Sequence, residues 1–196
     1  MKKQSQVTEL TKAKIREAFW QLYEQKPIDK ISIKEITDAA GYNRGTFYLY
    51  YKDVYDLFSQ IEEELLGMIR TLIDEKLLQG DEPDFKRHMG FILQLTRAYE
   101  PYVSVLLGDR GDPAFNRKLK AIIAPLVESL LIPADGCTDE ERALLREFYL
   151  SGLLAAVSQW ITNPEGMPID HLIQLILDTV LPSKDKIADT SRPFTP

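Results

Sequence analysis

The chain has 196 residues, of which 44% are hydrophobic and 28% charged, so it is long enough for a real core and too apolar for wholesale disorder. Its single cysteine, Cys137, excludes an internal disulfide and any zinc site built from several cysteines. The first residues lack the apolar stretch of a signal peptide, and no apolar run is long enough to cross a bilayer. We therefore expect a cytoplasmic protein that uses neither a membrane, a metal nor a cofactor.

The net charge of −6 is distributed unevenly along the chain. Residues 1–53 contain 10 basic and 7 acidic side chains, whereas the remainder contains 14 basic and 23 acidic ones. A basic end can approach a polyanion, while an acidic body discourages indiscriminate phosphate binding. The asymmetry indicates a DNA-binding end when a suitable motif accompanies it.

Apolar residues recur at helical spacing almost throughout, and no segment alternates as a half-buried strand would. This pattern predicts an all-α fold of about nine helices. The first helix is predicted over residues 8–25, ahead of Pro27. Ser32 is the predicted N-cap of a second helix, and Glu35 completes its capping box.

The second helix is predicted to end at Gly41, and a third runs from an Asn43 cap to about Tyr50. Asp53 is the predicted cap of a long fourth helix that continues to Gly80. Later helices are predicted over residues 84–99, 101–107, 113–132, 138–162 and 168–181. We expect a DNA-binding domain at 1–53, a ligand-sensing and dimerisation domain at 54–182, and a disordered tail at 183–196.

The second and third helices have the pattern of a helix-turn-helix. Two steeply crossing helices need a small residue where they touch, here Ala40, and a turn residue that tolerates positive φ, here Gly41. Ile36 and Phe47 are spaced to pack this pair against the first helix. An ordinary α-hairpin with a glycine turn has the same local pattern, so the motif alone leaves both interpretations open.

In a helix-turn-helix, the second helix of the pair inserts into the major groove of DNA. Arg44 could read a guanine through two hydrogen bonds or could bind a phosphate. Tyr48 could supply a hydroxyl to a phosphate, or could instead be a half-buried core residue. The candidate DNA-binding residues are Lys34, Asn43, Arg44, Gly45, Thr46, Tyr48, Tyr50 and Lys52.

Residues 36–57 resemble the DNA-binding domain of the TetR family of regulators. The residues that carry the resemblance are Ala40, Gly41, Gly45, Thr46, Phe47, Tyr48, Tyr51, Asp56 and Leu57. Three positions depart from the usual family pattern, at Thr37, Tyr42 and Val54. Val54 stands where the family has a lysine that meets a phosphate, and Lys52 is the candidate substitute.

The rest of the chain is similar to a TetR C-terminal domain type that is common in Firmicutes and includes regulators of dihydroxyacetone kinase operons. The resemblance implies a homodimer on a roughly palindromic operator, with the last two long helices of each subunit forming the interface. The candidate interface residues are Gly152, Ala155, Ala156, Leu172 and Ile176. The alternative is that this apolar stripe packs only within its own subunit.

The resemblance also implies a small-molecule effector held among the middle helices. The candidate pocket residues are Met68, Phe91, Leu95, Tyr99, Tyr102, Leu106, Phe115, Phe148 and Trp160. Taken singly, a residue of such a stripe is more often plain core than part of a ligand site.

The sequence bears on three classes of function. The first is a repressor released by a small molecule, and the second is a DNA-binding co-activator controlled by a protein partner. The third is an enzyme, which we reject because the two histidines, His88 and His171, lie far apart in the sequence. The chain also lacks a phosphate loop, a nucleophile elbow and metal-ligand spacing.

Overall fold

The computed structural model describes residues 2–79, 112–132, 136–161 and 166–180, with scattered positions between 87 and 107. Within these residues all regular structure is helical, which confirms the all-α prediction. The chain divides into two compact units, Met1–Gly67 and Met68–Pro196.

The first unit contains three helices and most of a fourth, joined by short connections. The helices are α1 (Lys2–Tyr23), α2 (Ile33–Ala40), α3 (Arg44–Tyr48) and α4 (Val54–Leu72), and a 3₁₀ turn (Ile28–Lys30) precedes α2. α1 packs against α2, and α2 packs against α3.

Helix α1 begins at Lys2, several residues before the predicted start. No glycine or proline occurs before Pro27, so nothing in the sequence interrupts the helix at its N-terminal end. Thr11 is accommodated inside it because its hydroxyl donates a 2.8 Å hydrogen bond to the carbonyl of Val7, one turn earlier.

The core of the first unit is built from apolar side chains of all four helices. Those with no exposed surface are Ile15, Phe19, Ile36, Phe47 and Leu57. Phe58 on α4 joins the aromatic rings of α1, with ring centroids 6.1 Å from Phe19 and 5.0 Å from Tyr23. Because α4 completes this cluster, the first unit continues past residue 53, where the sequence predicted the domain boundary.

The second unit begins with the end of α4, which closes in one π-helical turn, Ile73–Leu77. Its other described helices are α5 (Pro113–Leu131), α6 (Asp139–Ile161) and α7 (Ile169–Val180). α5 packs on α6 around Val127, Ile132 and Leu150. Two ion pairs support the same contact, Lys120 with Glu147 at 2.5 Å and Arg146 with Glu128 at 2.7 Å.

The described residues contain seven α-helices where the sequence predicted about nine for the whole chain. The predicted helices at 84–99 and 101–107 lie largely outside the described residues, and the tail at 183–196 lies wholly outside them. Among the helices that are described, none is long and apolar enough to cross a membrane.

Candidate nucleic-acid interface

The start of α2 is fixed by the predicted capping box. The Ser32 hydroxyl accepts a hydrogen bond from the Glu35 backbone N–H at 3.3 Å, and the Glu35 carboxylate accepts one from the Ser32 N–H at 3.0 Å. Lys26 donates a 2.6 Å hydrogen bond to the other carboxylate oxygen. The hydrogen bond from Lys26, followed by those from Ser32, lowers the pKa of Glu35 from 4.5 to about 2.

The turn between α2 and α3 depends on Gly41, whose φ of 74° and ψ of 29° are left-handed. Such a conformation is strained for a residue with a Cβ. After the turn, the Asn43 side-chain oxygen caps α3 by accepting from the Thr46 N–H at 2.9 Å and from the Thr46 hydroxyl at 3.2 Å. The position of α3 is therefore set by the left-handed backbone of Gly41 and by the Asn43 cap.

The family departure at Thr37 has a local explanation. Its side chain is buried on α2, where an unpaired hydroxyl would be costly. The hydroxyl donates to the carbonyls of Ile33 at 2.9 Å and Lys34 at 3.1 Å. The helix itself therefore satisfies the additional polar group.

Helix α3 separates into a buried and an exposed face. Phe47 has no exposed surface, whereas Arg44, Gly45 and Tyr48 face solvent. Tyr48 is 58% exposed, so the alternative of a half-buried core tyrosine is wrong. Lys34 and Lys52 are also exposed.

Two predicted contact residues are more deeply set than Arg44. Thr46 and Tyr50 are half-buried, and the Lys12 ammonium of α1 lies 5.8 Å from the centroid of the Tyr50 ring. The oxygen of Asn43 is occupied by its capping role. Among the predicted contact side chains of α3 itself, Arg44 and Tyr48 are the exposed ones.

The start of α4 explains the departure at Val54. Val54 is buried, so this position takes part in packing and does not offer a charge. The Asp56 carboxylate accepts a 2.8 Å hydrogen bond from the Lys52 backbone N–H, which with a hydrogen bond from Gln60 lowers the pKa of Asp56. This contact holds the backbone of Lys52 while its side chain stays exposed.

A partly buried polar cluster around Tyr51, which follows α3, was not predicted from the sequence. The Tyr51 hydroxyl is buried close to the guanidinium of Arg16 on α1, and Arg16 forms an ion pair with Glu64 on α4. Burial raises the pKa of Tyr51, although the adjacent Arg16 opposes that shift. The cluster connects three segments: α1, the residues that follow α3, and α4. No local spacing could reveal it, because its three members are far apart in the sequence.

In the second unit, the candidate pocket residues differ in how deeply they are buried. Leu106 and Phe115 are buried, and Met68, Tyr99, Tyr102 and Trp160 are half-buried. Phe91 and Leu95 lie outside the described residues. Phe148 is 71% exposed, because it lies on the side of α6 that faces away from Leu150 and the α5 contact. Phe148 is thereby separated from the interior residues with which the sequence grouped it.

An apolar groove of ≈ 370 Å³ runs between α6 and α7. It is lined by Phe148, Tyr149, Gly152, Leu153, Ala156, Leu172, Leu175, Ile176 and Thr179. Four of the five candidate interface residues line this groove, and the fifth, Ala155, is exposed on α6.

Comparison with known proteins matches both halves of the chain to one family. Residues 15–61 match the model of bacterial regulatory proteins of the tetR family, and residues 87–181 match a transcriptional regulator C-terminal region. The HTH-type transcriptional regulator AcrR of Shigella flexneri is 37% identical over 189 residues, which cover 86% of each chain. The chain belongs to the TetR family of DNA-binding transcriptional regulators.

Other relatives differ in how much they share. The uncharacterized HTH-type transcriptional regulator YxbF of Bacillus subtilis strain 168 is 33% identical over 67 residues, which span 34% of this chain and 18% of YxbF. A TetR transcriptional regulator from Streptococcus agalactiae 2603V has a similar fold, with a TM-score of 0.62, 21% identity, and coverage of 90% of this chain and 97% of the other. The dihydroxyacetone kinase operon activator DhaS also has a similar fold, with a TM-score of 0.52, 17% identity, and coverage of 87% and 96%.

Proposed function

We propose that this protein is a homodimeric repressor that binds a palindromic operator and is released from it by a small molecule. The observation that carries the proposal is the exposed face of α3, where Arg44 and Tyr48 project from a helix fixed by the Gly41 turn and the Asn43 cap. A short rigid helix with an exposed guanidinium suits the reading of base edges in a major groove.

The phosphate contacts would come from the residues around α3. Lys34 and Lys52 flank it in the sequence and are exposed, and Tyr48 is exposed as well. Contacts of this kind fix the register of the protein on the duplex, and they make affinity fall as salt rises because bound counterions are released.

The groove between α6 and α7 supports the proposed homodimer. Leu144 and Phe148 are 72% and 71% exposed, and small residues at Gly152 and Ala156 would allow a second helix to approach closely. Symmetric pairing would cover this apolar surface. It would also link two copies of α3, as recognition of two half-sites about 34–36 Å apart requires.

Release by a ligand requires that the ligand bind the two states of the dimer unequally. The half-buried aromatic residues Tyr99, Tyr102 and Trp160 are the candidates for contacting an effector with an apolar body. Incubating the purified protein with a metabolite library and measuring shifts in its melting temperature would identify the effector. The same compound should also weaken operator binding.

The proposed DNA binding is tested by selecting an operator from random duplex DNA with the full-length protein. We expect a palindromic consensus, bound with an affinity that falls steeply between about 50 and 200 mM salt. Failure to enrich any sequence at low salt would contradict the proposal.

A second candidate is an activator controlled by a protein partner. The exposed apolar side chains of α6 favour it, since such a patch could also dock another protein, and the fold relative DhaS is named as an operon activator. A promoter fused to a reporter separates the two functions. Deleting the regulator should raise expression for a repressor and lower it for an activator.

A further inference from the structure

Leu49 is the most exposed of the large hydrophobic side chains in the part of the chain that the structure describes. It is 75% exposed, more than Leu144 or Phe148 of the α6 surface. It lies at the C-terminal end of α3, the helix that the proposed function places in the major groove, where covering an apolar side chain would lower the free energy of the complex.

The backbone conformation explains why the residue four positions earlier does not cover Leu49. Its φ of −70° and ψ of −22° continue the helical course of α3 by one residue. Helical side chains lean toward the residue four positions earlier, which for Leu49 is Gly45. Gly45 has no side chain to pack against, so the isobutyl group of Leu49 remains exposed, as are Arg44 and Tyr48 of the same helix.

Only one base offers an apolar group in the major groove. Thymine carries a C5-methyl there, whereas the other three bases present hydrogen-bond donors and acceptors. We infer that Leu49 reads a thymine in each half-site by packing against its C5-methyl. The inference rests on the proposed DNA binding through α3 and adds a base preference to it.

The test uses the full-length protein and the operator selected for it. Each thymine is replaced in turn by deoxyuridine, which differs only by lacking the C5-methyl. Burying one methyl group corresponds to about a fourfold change in affinity. We expect a loss of about that size per half-site at one symmetric pair of positions.

The Leu49→Ala variant connects the effect to this side chain. It should bind the thymine operator more weakly than the wild type and should no longer distinguish thymine from deoxyuridine at that pair. Leu10→Ala is the matched control, because Leu10 is a 59% exposed leucine on α1 of the same unit. This control should keep the full discrimination.

Two results would overturn the inference while leaving the proposed function intact. Operator binding that is indifferent to every deoxyuridine would show that no thymine methyl is read. Discrimination that persists in Leu49→Ala would assign the methyl contact to another residue. Absence of any operator binding would overturn the proposed function together with this inference.

Discussion

Side chains on and around α3 differ sharply in what they contact. Phe47 is enclosed by the core, with its ring centroid 5.4 Å from that of Tyr51. Arg44, the first residue of the same helix, is exposed. Substitutions at exposed positions of this helix should therefore change DNA binding without changing the fold.

Arg44 and Lys52 should respond differently to removal. Arg44→Ala should weaken operator binding by about 1–3 kcal/mol and relax the preference at one symmetric pair of bases, because a bidentate guanine contact is lost. Lys52→Ala should weaken binding to all sequences alike and flatten the salt dependence, because only a phosphate contact is lost. Binding titrations on operator and random DNA measure both effects. An equal loss on both DNAs for Arg44→Ala would make Arg44 a phosphate contact.

The capping carboxylate of Glu35 makes stability depend on pH. Its pKa is about 2 in the folded protein, below the ordinary 4.5, so folding favours the ionised form. The resulting stabilisation is complete above pH 4.5 and is lost as the pH falls toward 2. Glutamine keeps the capping hydrogen bond but cannot ionise, so the melting temperature of Glu35→Gln should fall less steeply than that of the wild type over this range.

Thermal unfolding followed by circular dichroism at several pH values measures this difference. Glu17→Gln controls for the loss of one surface charge, since Glu17 is an exposed residue of α1. Parallel curves for the wild type and Glu35→Gln would show that the ionised form of Glu35 is not favoured by folding.

The roles of single residues were predictable where they depend on near neighbours in the sequence. Ser32 and Glu35 are three positions apart, so the capping box follows from their residue types and spacing. Arg16, Tyr51 and Glu64 meet only after three separate segments have packed. Local sequence spacing does not reveal a tertiary contact between segments of this kind.

At the scale of elements, the turn between α2 and α3 depends on one backbone conformation. A Cβ added at Gly41 would meet no atom within 4 Å, so any cost of Gly41→Ala must come from its φ of 74°. We expect a loss of about 1–2 kcal/mol in the free energy of unfolding. Urea unfolding of the full-length protein measures it.

Gly67 provides a matched control for the same substitution. It lies exposed within α4, where an added Cβ also meets nothing. Alanine should therefore stabilise this helix by about 1 kcal/mol. If both variants changed stability in the same direction, the left-handed conformation would not be the cause.

Element boundaries were predicted well where a local signal marks them. Ser32, Gly41 and Asn43 place the ends of α2 and the start of α3 as the sequence indicated. The early start of α1 and the end of α3 at Tyr48 had no such signal. The exposed position of Phe148 likewise depends on which side of α6 meets α5, and helical spacing does not decide between two apolar sides.

At the scale of the whole molecule, charge alone does not account for DNA binding. Residues 1–53 carry a positive excess, but Asp56 and the glutamates at 62–64 belong to the same compact unit and cancel it. Attraction to phosphate must therefore depend on the local positions of the exposed lysines and arginine and not on the net charge of the unit.

The proposed dimer can be broken at Ala156, which lines the groove between α6 and α7. Ala156→Arg would leave a charge without a partner in the interface, at a cost of several kcal/mol. Sedimentation should then show a monomer that has lost tight operator binding, while circular dichroism still reports helix. Operator binding fails because two linked heads bind far more tightly than one.

Ala121→Arg is the control for this substitution, since Ala121 is an exposed alanine on α5 away from the groove. It should remain dimeric and bind the operator. If Ala156→Arg also stayed dimeric, Ala156 would lie outside the interface. A monomer that still bound the full operator tightly would contradict the need for pairing.

The brevity of α3 limits how much sequence one subunit can recognise. Its five residues advance about 7.5 Å, roughly the height of two stacked base pairs. Even with flanking contacts, a recognised sequence of three or four base pairs recurs thousands of times among the roughly 10⁶ or more competing sites of a genome. In the proposed dimer, the spacing between the two short half-sites also contributes to the specificity for the operator. A ligand that changes only the spacing between the two α3 helices would abolish specific operator binding, although each α3 could still contact its own bases.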